Sequence, residues 1–217
     1  TRRGQNMRKG RAVLAALLLA AVAVGCGEES GTQISEISIT REGEVSHHIV
    51  GTFDQSYYDK EGLEKLTAQR VESYCSEKGP DSVTVGSLEE KDGTISIKME
   101  YQSTADYAAF NNRQLFDGTV EEAEAAGYKL DEVALVSLDR KPFEPGDIDG
   151  FETMSVAIIE TAPDEQLKVN VPGKVLYINQ TAENSVEVAA DGKKSVKIQG
   201  KEDPAEEGNV LSYIIYK

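Results

Sequence analysis

Residues Lys91 to Tyr101, KDGTISIKMEY, carry the cleanest period-2 alternation in the chain. Ile95, Ile97, Met99 and Tyr101 fall on one side of an extended strand, with polar residues between them. Asp92-Gly93 supplies the pair that a tight hairpin turn needs, and Val83 and Val85 stand ahead of it on the partner strand. A strand that buries one face and wets the other belongs to an antiparallel sheet.

Upstream, Ile34 to Ile39 and Val45 to Phe53 read as two strands joined by the turn Arg41-Glu42-Gly43-Glu44. Leu63, Leu66, Val71 and Tyr74 share one arc of a helical wheel, which predicts a long amphipathic helix capped by Asp59 and stopped at Gly79-Pro80. Downstream, Ser103 caps a short helix through Tyr107 and Phe110. Thr119 with Glu122 forms a capping-box pattern for another, stopped by Gly127, and Ala134 to Leu138 reads as a strand.

Lys141 to Gly150 holds two prolines and two glycines and is the natural break. Beyond it the chain shows only β-leaning runs: 154–159, 167–171, 174–178, 186–188, 196–198 and 210–216. Turn signals at Ala162-Pro163-Asp164, Pro172-Gly173, Asp191-Gly192 and Asp203-Pro204 separate them, and the arrangement reads as an antiparallel meander. The expected fold class is α+β: antiparallel sheet or sheets, one longer and two short helices in the first half, and a mainly β second half. Residues 34–217 are expected to form a single domain, with 34–140 and 151–217 as possible sub-lobes.

The charge is unevenly spread. The whole chain carries −15, yet Arg2, Arg3, Arg8, Lys9 and Arg11 give the first 25 residues +5. The other 192 residues therefore carry −20. A body this acidic lacks the basic stripe that nucleic acid requires. Two cysteines, Cys26 and Cys75, cannot build a disulfide scaffold or a cysteine zinc cluster.

The basic head has the parts of a signal peptide, residues 1–25 with its start at Met7. Arg8, Lys9 and Arg11 precede Ala12 to Val24, 13 uncharged residues. As a helix these span ~20 Å, short of the ~30 Å hydrocarbon core and suited to an export h-region. The run enters Ala23-Val24-Gly25-Cys26, which resembles the lipobox of bacterial lipoproteins. The resemblance implies diacylglycerol transfer to the Cys26 thiol, cleavage between Gly25 and Cys26, and a place on the outer face of the cell membrane. Ala23 stands where that pattern most often has Leu. The competing reading is an ordinary secretory signal, with Ala23 and Gly25 as an A-x-A-like site and a chance cysteine. Residues 26–33, the lipidated cysteine and GEESGTQ, read as a flexible tether; its seven residues after Cys26 extend at most ~25 Å.

Candidate chemistry is sparse. His47 and His48 are neighbours on a strand, so they point to opposite faces and cannot chelate one metal; surface or hairpin histidines are expected. Cys75 lies one residue past the helix stripe, beside Glu72, Glu77 and Lys78, and reads as structural. Asp147-Ile148-Asp149-Gly150 echoes a calcium loop but lacks its other acids, and reads as a polar turn. Tyr57, Tyr58, Tyr101, Tyr107, Phe110, Phe116 and Tyr128 suit either a binding floor or, more commonly, a core. Glu121, Glu122 and Glu124 read as a solvated helix start, and Asn179-Gln180-Thr181 matches a glycosylation sequon. No catalytic residue, cofactor site or metal site is assigned.

The stretches FDQSYYDKEGLEKLTAQRVESY (53–74) and YQSTADYAAFNNRQLFDGTVEEAEAAGY (101–128) are similar to small uncharacterised lipoproteins of Firmicutes. That resemblance implies a Gram-positive cell surface and no particular activity. The expectation is a non-catalytic binding or interaction module of the cell envelope, anchored through Cys26, with its protein or glycan partner unidentified. The alternatives are a ligand-binding lipoprotein serving a transporter, and an envelope hydrolase using paired carboxylates.

Overall fold

In the computed structural model, Ile95, Ile97, Met99 and Tyr101 all point into the main core, as their alternation requires. The structure describes residues 34–139, 141–143, 148–179, 184–189, 194–200 and 209–217. The leader, the Gly25–Cys26 junction and the tether lie outside these residues. So do Asp147, Gln180, Thr181 and the turns at Asp191-Gly192 and Asp203-Pro204.

The first half runs β1 (Ser35–Ile39), β2 (Val45–Thr52), α1 (Lys60–Lys78), β3 (Val83–Lys91), β4 (Thr94–Tyr101), α2 (Thr104–Asn111), β5 (Leu115–Thr119) and α3 (Val120–Ala125). It closes with the short strands β6 (Leu135–Ser137) and β7 (Pro142–Phe143). Among the described residues that follow are one single-turn helix and the strands β8 (Ser155–Thr161), β9 (Gln166–Asn170), β10 (Val175–Asn179), β11 (Asn184–Val188), β12 (Ser195–Gly200) and β13 (Val210–Tyr216). The class is α+β with a mainly β second half.

The strands make two sheets. The first is seven-stranded, in the order β11-β12-β9-β1-β2-β4-β3; the second is six-stranded, β5-β8-β13-β10-β6-β7. Pairing is antiparallel except between β1 and β9. The second half is not the expected meander. Its strands divide between the sheets, with β9, β11 and β12 in one and β8, β10 and β13 in the other. Local turns fix where strands end, but long-range pairing decides which sheet each joins. Strand pairs also cross the break at 141–150, β1 with β9 and β5 with β8.

One apolar core fills the space between the sheets, with Ile37, Ile97, Met99, Leu167 and Val196 from the first meeting Leu115, Ala157, Ile159 and Ile214 from the second. The opposite face of the six-stranded sheet buries Val156, Ile158, Tyr213 and Ile215 under α3 and two 3₁₀ turns, around Leu130 and Phe151.

Three local expectations are corrected. Asp59 occupies the N-cap position of α1, but its side chain makes no capping hydrogen bond. Leu66 is exposed, while Thr67 is buried, its hydroxyl donating to the Leu63 carbonyl at 2.8 Å. That bond satisfies the polar atom and turns the buried arc toward Leu63, Thr67 and Tyr74. β5 was not expected between the two short helices, because Asp117 and Gly118 are poor strand formers; pairing with β8 overrides that propensity. The caps at Ser103 and Thr119 form as expected, the second as a complete capping box.

Candidate functional site

Helix α2 is closed by its C-cap Asn112, whose left-handed backbone (φ 52°) turns the chain so that Arg113 meets Glu165. On the opposing side Glu165 N–H donates to the Ala162 carbonyl at 3.3 Å, closing a turn in which Asp164 is also left-handed (φ 62°). Arg113 Nη1 then donates to both carboxylate oxygens of Glu165, at 2.8 and 2.6 Å. Glu165 Oε2 also accepts the Ala162 N–H at 2.7 Å. The side chains retain 12% and 5% of their exposure, so this is a buried ion pair.

His47 faces the same interior. It shares its side of the sheet with Ile37 and Met99, its neighbours in register, and its ring meets Tyr107 edge-on at 5.4 Å. The residue keeps some exposed surface, but Nδ1 is sealed and has no hydrogen-bond partner. Burial, then the Arg113 charge, then His48, push the imidazole down to about 3. It is therefore neutral at ordinary pH; of the expected surface or hairpin placement, His47 has the hairpin strand but turns its ring inward. His48 faces out as expected, with Nε2 2.7 Å from Ser96 Oγ. Strand alternation separated the two rings.

An open groove of about 440 Å³ lies over Arg113, lined also by Asn112, Gln114, Tyr128 and Glu160. Glu160 accepts the Gln114 N–H at 2.7 Å and the Asn209 amide at 2.5 Å. The groove is mixed in character, with Ala108 and Leu115 also on its wall, and its two charged side chains are held by partners within the fold.

A half-buried carboxylate, Asp117, accepts from Tyr216 Oη at 2.6 Å. Burial raises the Asp117 pKa against the lowering effect of that hydrogen bond. This contact ties β5 to the final strand. Cys75 Sγ donates to the Val83 carbonyl at 3.3 Å and packs against the core, which is a structural role. The aromatic set divides. Tyr101, Tyr107 and Phe110 are core, Phe116 and Tyr128 border the second core, and Tyr57 is exposed. Asn179 is buried, accepting the Tyr213 N–H at 2.8 Å, so its side chain is engaged inside the fold.

The outward face of the seven-stranded sheet is polar. Lys197, Lys168, Glu36, His48 and Lys98 lie in one cross-strand row. The next row is Ser195, Asn170, Ser38, Ser46 and Glu100. Asn170 Nδ2 donates to Glu36 at 2.7 Å and to Ser38 at 2.8 Å, and Asn170 Oδ1 accepts from Ser195 at 2.6 Å. Lys168 pairs with Glu36 at 3.5 Å.

The expected set without catalytic or metal residues placed nothing at Arg113 and Glu165. They are 52 residues apart, and no local pattern distinguishes them from the chain's other charges. No group of three His, Cys, Asp or Glu side chains suited to a metal occurs among the described residues. None of their helices is long and apolar enough to cross a membrane. Compared with protein-family models, curated proteins and solved structures, the chain matches none.

Proposed function

We propose that this chain is a lipid-anchored extracytoplasmic module of the cell envelope, acting by binding rather than by catalysis. The observation that carries the reading is the leader ending in Ala23-Val24-Gly25-Cys26, eight residues ahead of Ile34, where the described fold begins. Two acyl chains on Cys26 anchor a protein stably, each buried CH₂ contributing ~0.8 kcal/mol.

The character of the polar groups supports a binding role. Arg113 pairs with Glu165, Tyr216 donates to Asp117, and His47 is held neutral. The broad polar face of the first sheet offers alternating donors and acceptors to a partner.

The test is expression in a bacterium with the native leader and metabolic labelling with a fatty-acid analogue. The native chain is expected in the membrane fraction carrying label, and Cys26→Ala is expected to lose the label. A Cys26→Ala chain that is processed and membrane-bound like the parent would overturn the anchor.

A further inference from the structure

Tyr57 is 64% exposed, the most exposed of the large hydrophobic side chains among the described residues. It does not stand alone. Its ring meets Tyr58 edge-on at 4.9 Å, and Tyr58 stacks on Phe53 at 4.9 Å. Phe53 packs against the main core, and its N–H donates to the Gly93 carbonyl at 2.6 Å. The tip is thus carried by a ladder of three rings rooted in the sheet, so presenting it to a partner requires little further ordering.

The strand register places this ladder relative to the anchor. β1 runs antiparallel to β2, with Glu36 opposite His48, and Ser35 Oγ accepts the Val50 N–H at 3.1 Å. Going backward from Ser35 toward Cys26 therefore follows the same direction as going forward from Val50 to Phe53. The chain that leads to the lipid leaves the sheet one strand, ~4.8 Å, from the strand that leads into the aromatic loop. Phe53 lies three residues beyond Val50, roughly 10 Å along the strand. The seven residues between Cys26 and Ile34 reach at most ~25 Å.

We propose that the loop 53–59, led by Tyr57, is a second contact with the bilayer and sets the fold end-on to the membrane; this rests on the lipid-anchor reading above. The occupant is the headgroup region of the leaflet that holds the acyl chains of Cys26. Tyrosine suits that depth, with an apolar ring toward the hydrocarbon and a hydroxyl toward water. A weak contact is enough, because the anchor makes the loop's encounter with the surface intramolecular and raises its effective concentration. The attraction is not electrostatic. Asp54, Asp59 and Asp92 are exposed around the loop with Lys91, and this balance favours a zwitterionic over an anionic surface.

The chain contains no tryptophan, so Tyr57→Trp makes a unique fluorescent reporter. The control is Val85→Trp, at an exposed position on β3 six residues, roughly 20 Å, from the strand end at Lys91. Each full-length lipidated variant is reconstituted into phosphatidylcholine vesicles containing lipid brominated near the headgroup, and mass spectrometry of the first peptide records acylation. An acylated Tyr57→Trp chain should be quenched about twofold or more while Val85→Trp is unaffected, as interfacial seating requires. If both are acylated and neither is quenched, or both are quenched alike, the end-on contact is overturned and the anchor stands. That would leave Tyr57 to a soluble glycan or protein partner. An unacylated first peptide overturns both readings.

Discussion

Arg113 Nη1 lies 2.8 and 2.6 Å from the two carboxylate oxygens of Glu165, so one guanidinium nitrogen bridges 52 residues of sequence in a nearly dry interior. The contact joins the end of α2 to the turn that starts β9. It thereby holds the groove floor to the seven-stranded sheet.

Removing one partner strands a charge. Arg113→Met is expected to destabilise the fold by about 3–5 kcal/mol, because Glu165 stays buried with only the Ala162 N–H to satisfy it. Replacing both partners with apolar residues should recover most of that loss. Urea unfolding checks both, and a loss below ~1 kcal/mol in the single variant would mean that water reaches the pair.

His47 makes stability pH-dependent. Its folded-state pKa is about 3, against 6.5 for a free imidazole, so between those values the unfolded chain binds a proton that the folded chain refuses. The contribution is complete above pH 6.5 and falls as pH drops, at up to ~1.4 kcal/mol per unit. His47→Leu should flatten the slope between pH 6.5 and 5, where few carboxylates yet titrate. Urea midpoints that decline equally in both chains would show that the folded state takes up the proton.

Gly200 is needed for a close approach. A Cβ there would stand 2.6 Å from the Ala162 carbonyl oxygen, and Gly200 N–H donates to the Glu165 carbonyl at 2.9 Å. Gly200→Ala must displace the turn that seats Glu165, at a cost of about 1–3 kcal/mol. At Gly86 the nearest atom would be Lys98 Cβ at 3.5 Å, so Gly86→Ala is the mild comparison. Equal thermal midpoints for the two variants would count against the close-packing account.

Thr119 serves two elements, ending β5 and capping α3. Its hydroxyl accepts the Glu122 N–H at 3.1 Å, and Glu122 Oε2 accepts the Thr119 N–H at 2.8 Å. Thr119→Ala should lower stability by ~1 kcal/mol and Thr119→Ser by much less. Indistinguishable Ala and Ser variants in the same urea assay would assign the loss to the methyl group rather than to the cap.

Local chemistry made much of this molecule readable in one dimension. The alternation at Ile95 to Tyr101, the caps at Ser103 and Thr119, and the opposed faces of His47 and His48 depend on neighbours within a few residues, where backbone geometry acts directly. The resemblance of Ala23-Val24-Gly25-Cys26 to a lipobox is likewise a matter of adjacent residues, and it carries the proposed anchoring. Tertiary structure alone decided that β9 lies parallel to β1, that the later strands divide between two sheets, and that Arg113 meets Glu165. It also decided that the exit toward Cys26 and the rings of Phe53, Tyr58 and Tyr57 share one end of the sheet. Those relations arise when distant segments bury their apolar faces together, an energy that depends on the whole arrangement and leaves no local trace in the order of residues.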